Sequence, residues 1–201
     1  MMANESSAVG KSVAIFSGKG GVGKSTIVSA LAVASSAKAI DADPQCSLAM
    51  WGDRRQDNIV TAAPMNRIPA LLDQAENFVF VDMPGTLVPG ALGVLQKADL
   101  ILTPTTVDQP ELDVLPQVLE VLALAGRPSA LVINRLHPRS SAEEAIDLLR
   151  ETNLPICPTP IRERVVHRQQ WVEGLTAIDV RGPARDEILE LWTWVQGLLN
   201  G

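Results

Sequence analysis

The chain has 201 residues, of which 46% are hydrophobic, so it can bury an ordinary core without disulfides or metals to brace it. Its two cysteines, Cys46 and Cys157, lie far apart with no CxxC spacing, which argues against a disulfide framework or a zinc site and favours the cytoplasm. With 17 basic and 23 acidic residues the net charge is −6, so nucleic acid would have to bind at a local basic patch.

Short apolar runs alternate along the chain with amphipathic stretches, which predicts an α/β fold: a doubly wound, mostly parallel sheet flanked by helices. Residues 1–12 are predicted to be a flexible N-terminal leader, and 13–201 a single domain. In chain order, the predicted strands are Val13–Ser17, Lys38–Ile40, Asn77–Asp82, Asp99–Pro104, Ala130–Asn134 and Leu154–Cys157. Predicted helices follow the first strand and occupy Glu111–Leu124, Ser140–Glu151 and Pro183–Leu199.

The segment between the first predicted strand and the first predicted helix is a phosphate-binding loop. Gly18–Ser25 satisfies the pattern G-x-x-x-x-G-K-[ST] in the structural context that the motif requires. Its glycines let backbone N–H groups surround phosphate oxygens, and the following helix directs its positive end at the same anion. Lys24 is expected to reach the β- and γ-phosphates, and the Ser25 hydroxyl to bind Mg²⁺. The expected nucleotide-binding residues are Gly20, Gly21, Val22, Gly23, Lys24, Ser25 and Thr26.

Three aspartates are expected to lie beside this loop. Asp82 ends an apolar strand, and a carboxylate at the carboxyl end of a strand can hold Mg²⁺ through water. Asp41 and Asp43 follow another short apolar run, and their spacing places both on one side of an extended segment. We therefore predict that Ser25 and Asp82 hold Mg²⁺ and that Asp41 and Asp43 face the same site.

These motifs resemble those of the ParA, Soj and MinD ATPases, which carry a deviant Walker A motif, and most of all the small plasmid-partition ParA proteins. The resemblance implies a P-loop NTPase fold and identifies Lys19 as the signature lysine, which reaches the partner's phosphates in an ATP-sandwich homodimer. It implies that Asp43 orients the attacking water and that Asp41 stands near the metal. Asn134 matches the asparagine that hydrogen-bonds the adenine edge, where an amide can donate and accept at once.

The resemblance also implies a function: weak ATP hydrolysis, with Mg²⁺, that resets a dimer. ParA-like members bind nonspecific DNA on the nucleoid when ATP-bound and position a cargo, which can be a plasmid, a chromosome or a carboxysome. A partner protein that marks the cargo stimulates hydrolysis. The candidate DNA patch is Arg162, Arg164 and Arg168, within IRERVVHR; Arg164 and Arg168 would be i, i+4 neighbours on one helical face.

Other functions known among such proteins remain as alternatives. A MinD-like ATPase would act on a non-DNA surface, but the last predicted helix has no basic residue after Arg185. That helix is therefore expected to dock on the domain and not on a membrane. An iron–sulfur reductase would need cysteines in a ligand context that Cys46 and Cys157 lack. A small P-loop enzyme that phosphorylates or carboxylates a metabolite is the alternative from a different functional class.

Overall fold

Residues 10–201 are described by the computed structural model, and most of the predicted leader, residues 1–9, lies outside the described part. The folded unit begins earlier than predicted. The Gly10 N–H donates to the Ala75 carbonyl, and Ser12 is buried in the first strand, where its hydroxyl donates to the Asp99 carboxylate at 2.9 Å. Gly10–Ser12 therefore belong to the domain.

Strands and helices alternate through the described residues. The strands are β1 Ser12–Ile15, β2 Lys38–Asp41, β3 Val60–Ala62, β4 Val79–Asp82, β5 Leu100–Thr105 and β6 Ser129–Ile133. The helices are α1 Lys24–Ser35, α2 Ser47–Arg55, α3 Ile68–Asp73, α4 Ala91–Lys97, α5 Gln109–Leu112, α6 Leu115–Ala125, α7 Ala142–Asp147, α8 Val165–Val172 and α9 Pro183–Asn200. Short 3₁₀ turns occupy Met65–Arg67, Arg150–Thr152 and Ala177–Asp179.

The strands form one parallel sheet in the order β3-β2-β4-β1-β5-β6. Every neighbouring pair is parallel, and Asp41 at the end of β2 lies opposite Asp82 at the end of β4. This confirms the predicted doubly wound parallel sheet. Because ligands of such sheets bind beyond the carboxyl ends of the strands, the order brings the loops after β1, β2 and β4 to one edge.

Both faces of the sheet are covered, as a parallel sheet requires. Side chains of β1 and of Phe16, which follows it, alternate between the two cores. Val13 and Ile15 pack on the side of α1, α2 and α9, whereas Ala14 and Phe16 pack on the side of α3, α4 and α6. Val13, Ala14 and Ile15 are fully buried and Phe16 is 2% exposed. The strand that precedes the phosphate-binding loop is therefore held rigidly.

The last helix docks on the domain, as predicted. Leu191, Trp192 and Val195 of α9 are buried, and Trp192 makes edge contacts with Phe78 and Phe80 at ring-centroid distances of 5.1 and 5.8 Å. The apolar face of α9 is thus used inside the fold. Within the described residues, no helix combines the length and the apolar character needed to cross a membrane.

Three predicted elements differ in the structure. Leu154–Cys157 makes only a single bridge to the sheet, Leu131 with Ile156, because Pro155 has no N–H to donate to a ladder. The helix predicted over Glu111–Leu124 is divided into α5 and α6, since Pro116 can stand only in the first turn of a new helix. The helix predicted over Ser140–Glu151 is shorter: it begins after Ser141, whose hydroxyl caps it by accepting from the Glu144 N–H at 3.3 Å, and it ends at Asp147.

Candidate functional site

The loop between β1 and α1 has the conformation that its glycines permit. Gly21 and Gly23 have φ of 85° and 94°, and Gly23 directly precedes the first residue of α1. A Cβ on Gly23 would lie 2.3 Å from the Asn134 side-chain nitrogen, so a larger residue there would be strained and would also clash. The loop therefore presents backbone N–H groups and the positive end of α1 to the same space.

Lys24 is a buried cation inside this loop. It is 6% exposed, and its Nζ donates to the Ser17 hydroxyl at 3.3 Å and to the Lys19 carbonyl at 3.2 Å. Burial lowers the pKa of Lys24, and the carboxylates of Asp82, Asp43 and Glu111 oppose that fall. The structure thus brings Lys24 into the neighbourhood of Asp82 and Asp43, as the motifs predict.

Asp82 is the feature of the site that most clearly requires a ligand. It is 1% exposed at the end of β4, and neither carboxylate oxygen has a hydrogen-bond partner within the described residues. Burial raises the pKa of Asp82 to about 7, and the charge of Asp41 adds to the rise. The nearby Ser25 hydroxyl opposes this rise in the pKa, although it does not form a hydrogen bond with the Asp82 carboxylate. An unpartnered buried carboxylate is costly, and a cation would relieve the cost.

The donor set suits a magnesium ion bound together with phosphates. No group of three or more His, Cys, Asp or Glu side chains between residues 10 and 201 could hold a metal by itself. Mg²⁺ usually keeps several waters and takes one or two protein ligands plus phosphate oxygens. Ser25 and Asp82 meet that requirement, so the residues present fit the ion.

The Asp41 carboxylate is hydrogen-bonded to the backbone of the segment that follows it. Its two carboxylate oxygens accept the backbone N–H groups of Asp43 at 3.0 Å and of Ala49 at 2.8 Å. Burial raises the pKa of Asp41, and these hydrogen bonds oppose the rise. The side chain is thus engaged in tying the loop after β2 to α2. This arrangement indicates that Asp41 organises the loop that carries Asp43.

The two acidic loops and the phosphate-binding loop enclose one cleft of about 700 Å³. A Cβ on Gly85 would lie 2.8 Å from the Gly20 backbone nitrogen, so the loop after β4 approaches closely because position 85 is glycine. Asp43 lines the cleft, while its Oδ1 accepts the Gln45 N–H at 2.9 Å. Trp171 of α8 also lines it and stacks on Trp51 at 5.7 Å. Nothing in the local sequence indicated that contribution of Trp171.

A second, smaller pocket of about 240 Å³ adjoins the loop behind Gly21, Gly23 and Thr26. Asn134 lines it and is 5% exposed, with its amide nitrogen donating to the Val22 carbonyl at 2.6 Å. In this position Asn134 braces the phosphate-binding loop as well as lining the expected nucleoside pocket. Sequence analysis missed the other side of the pocket, which is lined by Arg135, Arg162, Glu163, Arg164, His167 and Arg168.

The predicted arginine pair on a helical face does not form. Arg164 precedes α8 as its cap, and its guanidinium pairs with Glu187 at 2.6 Å. Arg162 donates to the carbonyls of His137, Pro138 and Ser140. Both arginines are engaged in joining segments of the fold. Of the three predicted DNA-binding residues, Arg168 is exposed on α8 and makes no ion pair within residues 10–201.

Lys19 has the exposure expected of a residue that acts outside its own subunit. Its side chain is 46% exposed at the tip of the loop, in contrast to the buried Lys24. The nearest opposite charge is Glu111 of α5, with 3.8 Å between Nζ and Oε2.

Comparisons with known proteins identify relatives over nearly the whole described chain. Residues 13–173 match the family described as the CobQ/CobB/MinD/ParA nucleotide binding domain. The chain is 34% identical over 190 residues to the Maintenance of carboxysome distribution protein A of Gloeobacter kilaueensis, with 88% of each chain covered. It is 29% identical over 196 residues to the protein of the same name from Halothiobacillus neapolitanus, covering 86% of this chain and 90% of that protein.

A solved structure supports the fold. The MinD protein of Pyrococcus horikoshii, complexed with Mg-ADP, superimposes with a TM-score of 0.78 over 94% of this chain and 96% of that one. At 22% identity this likeness concerns the arrangement of strands and helices.

Proposed function

Because the chain belongs to the CobQ/CobB/MinD/ParA nucleotide-binding family, we propose that it is an ATPase that acts as a positioning switch. It binds ATP with Mg²⁺, dimerises around the nucleotide, and returns to the monomer after slow hydrolysis. One observation carries the proposal: the unpartnered, buried Asp82 carboxylate lies beside the Lys24–Ser25 end of a phosphate-binding loop. A bound nucleotide with its metal would supply a cation for the Asp82 carboxylate and phosphate anions for the Lys24 ammonium group.

In this proposal, different residues of the cleft have different roles in phosphoryl transfer. Lys24 and the N-terminus of α1 bind the phosphates, and Ser25 and Asp82 hold Mg²⁺, which when bound neutralises charge on the transferring phosphoryl group. Asp43 is placed in the same cleft by the hydrogen bonds of Asp41 and orients the attacking water. Thr26 and Asn134 line the nucleoside side. Hydrolysis therefore depends mainly on positioning and electrostatics.

The exposure of Lys19 supports the proposed dimer. A lysine at the tip of the loop cannot contribute to its own cleft as Lys24 does, but it can reach the phosphates of a second subunit placed face to face. ATP then becomes part of the interface, so dimerisation requires the triphosphate. Loss of the γ-phosphate removes the group that the partner's lysine binds.

The surface to which the dimer binds is nonspecific DNA in this proposal, which would place the protein on the nucleoid in the cytoplasm. Support is limited to exposed arginines such as Arg168 of α8 and Arg181 before α9, since Arg162 and Arg164 are engaged internally. On a chain of net charge −6, one copy offers few phosphate contacts. Two copies in a dimer double them, which makes binding depend on ATP.

The cargo is inferred from the named relatives. Two proteins related over most of the chain are named for maintenance of carboxysome distribution. We infer that this chain likewise distributes a large protein cargo of the carboxysome kind, ahead of a plasmid or a chromosome. A second protein that marks the cargo would stimulate hydrolysis.

Asp43→Ala tests whether hydrolysis is the step that resets the switch. The variant should hydrolyse ATP about 10- to 100-fold more slowly, because the attacking water loses its orienting carboxylate. Its affinity for ATP should stay within several-fold of wild type, since the phosphate contacts remain. Phosphate release and labelled-nucleotide binding measure the two quantities. Asp53→Ala, which removes an exposed carboxylate from α2, is the matched control; wild-type turnover in Asp43→Ala would assign the water to another group.

The alternative function, an enzyme that modifies a metabolite, predicts different kinetics. Turnover would rise with a small-molecule substrate and would not respond to DNA or to a partner protein. A structural feature in its favour is the exposed Arg168 at the second pocket, because its guanidinium could bind an anionic substrate. The test measures ATP turnover by the purified protein with DNA, with a partner protein or with candidate metabolites added. Stimulation by DNA or a partner protein, and by no metabolite, favours the positioning switch over the metabolite enzyme.

A further inference from the structure

The contact between Lys19 and Glu111 is asymmetric in its exposure. The lysine side chain is 46% exposed, whereas that of Glu111 is 12% exposed. A partly desolvated carboxylate favours a nearby cation more strongly than an exposed one does. Lys19 is therefore drawn towards α5 of its own subunit.

The negative charge of Glu111 is compensated by Lys19 of the phosphate-binding loop. Its carboxylate makes no hydrogen bond and no second ion pair in the part of the chain between residues 10 and 201. It lines a polar cleft of about 200 Å³ between the phosphate-binding loop and the segment after β5, together with Lys19, Asp108 and Arg135. Glu111 also acts on Lys24, whose pKa is lowered by burial and held up in part by the charge of Glu111.

We propose that Glu111 is a positioning residue that holds Lys19 against its own subunit and so opposes ATP-dependent dimerisation. The inference rests on the proposed function, in which Lys19 binds the partner's phosphates. One ammonium group cannot occupy both places. Each subunit must therefore give up its Lys19–Glu111 contact when the dimer forms, and Glu111 is left with less compensation than before.

The size of the effect follows from the exposure of the pair. Half-exposed ion pairs contribute only modestly to binding free energy. Removing the glutamate charge should therefore lower the dissociation constant of the dimer by about two- to fivefold for each Lys19–Glu111 contact released. Salt screens such pairs, and the gain should shrink at high ionic strength. A merely structural role of Glu111 would instead lower thermal stability and leave the dimer unchanged or weaker.

The test is a double-mutant cycle on the full-length protein. Dimerisation is measured by sedimentation with saturating Mg²⁺ and a slowly hydrolysed ATP analogue for wild type, Glu111→Gln, Lys19→Gln and the double variant. Binding of the analogue by each protein is measured separately, because Glu111 also lies near Lys24. Asp108→Asn is the matched control, since Asp108 lines the same cleft and makes no ion pair within the described residues.

Glu111→Gln should dimerise more tightly than wild type and Asp108→Asn, with the gain absent when Lys19 is already glutamine. If Glu111→Gln tightened the dimer equally with lysine or glutamine at position 19, the proposed role of Glu111 would be overturned. The same holds if the wild type dimerises and Glu111→Gln does not tighten the dimer. Either result would leave the proposed function standing. A wild type that stays monomeric with bound analogue would overturn the proposed function and this inference together. The two failures are therefore distinguishable.

Discussion

Lys24→Ala should reduce the affinity for Mg-ATP by about 100-fold or more. Hydrogen bonds between charged partners contribute about 1.5–3 kcal/mol each, and Lys24 is the buried cation nearest the phosphate site. Its Nζ is already held inside the loop by Ser17 and by the Lys19 carbonyl, so little ordering is needed on binding. Lys19 does not replace that charge, because its side chain is 46% exposed and its Nζ lies 3.8 Å from the Glu111 carboxylate.

The measurement is titration with a fluorescent ATP analogue in the presence of Mg²⁺. Lys97→Ala serves as the control, since Lys97 is a half-exposed lysine of α4 that pairs with Asp73. Circular dichroism verifies that both variants fold. Equal affinity in Lys24→Ala and wild type would refute the assignment of the cleft as a nucleotide site.

Asp82→Asn should stabilise the protein without nucleotide or metal, and more so as pH rises. The pKa of Asp82 is about 7 in the fold, against 3.8 as the ordinary value. Below about pH 4 the carboxyl is protonated in both folded and unfolded chains. As pH rises to 7 the unfolded chain ionises first, so the folded state loses up to about 4 kcal/mol of stability. Asparagine keeps the shape and removes that loss.

Urea unfolding in EDTA at pH 5 and pH 8 gives the free energy of unfolding for both proteins. We expect the gain from Asp82→Asn to be clearly larger at pH 8, while Mg²⁺-dependent ATP binding falls. Asp53→Asn, at an exposed carboxylate of α2 that makes no ion pair within the described residues, should change neither. A variant less stable than wild type at pH 8 would show that the ionised carboxylate is already compensated within the fold.

Features that depend on the spacing of residues close together in the chain were predictable from the sequence. The glycine and lysine positions of the loop, the carboxylate that ends β4, and the helix after Pro183 depend on residues close together in the chain. The strand β3 was missed because its three residues at a sheet edge, one half-buried and two exposed, form too short a pattern to be recognised. The strand expected at Leu154–Cys157 has the apolar composition of a strand but carries a proline where the ladder needs a donor.

Contacts of the site that no motif position specifies could not be predicted from the sequence. IRERVVHR has the composition of a helix start, but α8 begins after Arg164, because backbone hydrogen bonds pair residues 161–163 with Ile133 and Leu136. Asp41 matches a motif position, yet the N–H groups of Asp43 and Ala49 engage its carboxylate. Trp171 and Glu111 reach the nucleotide loop only through tertiary packing. Sequence spacing carries no information on such long-range contacts.

The central claim is that ATP switches this protein between a released and a surface-bound state, and a gel-shift series tests it most directly. Wild-type protein is incubated with duplex DNA of several sequences and with ATP, ADP or no nucleotide, at salt from low to physiological. The ATP form alone should retard every DNA, with affinity falling steeply with salt, since each phosphate contact adds about 0.9 to the slope. Reversing Arg168 and Arg181 to glutamate should abolish retardation at saturating ATP, whereas Arg150→Glu should not. Equal behaviour with ATP and ADP, or no retardation even at low salt, would contradict an ATP-switched DNA binder.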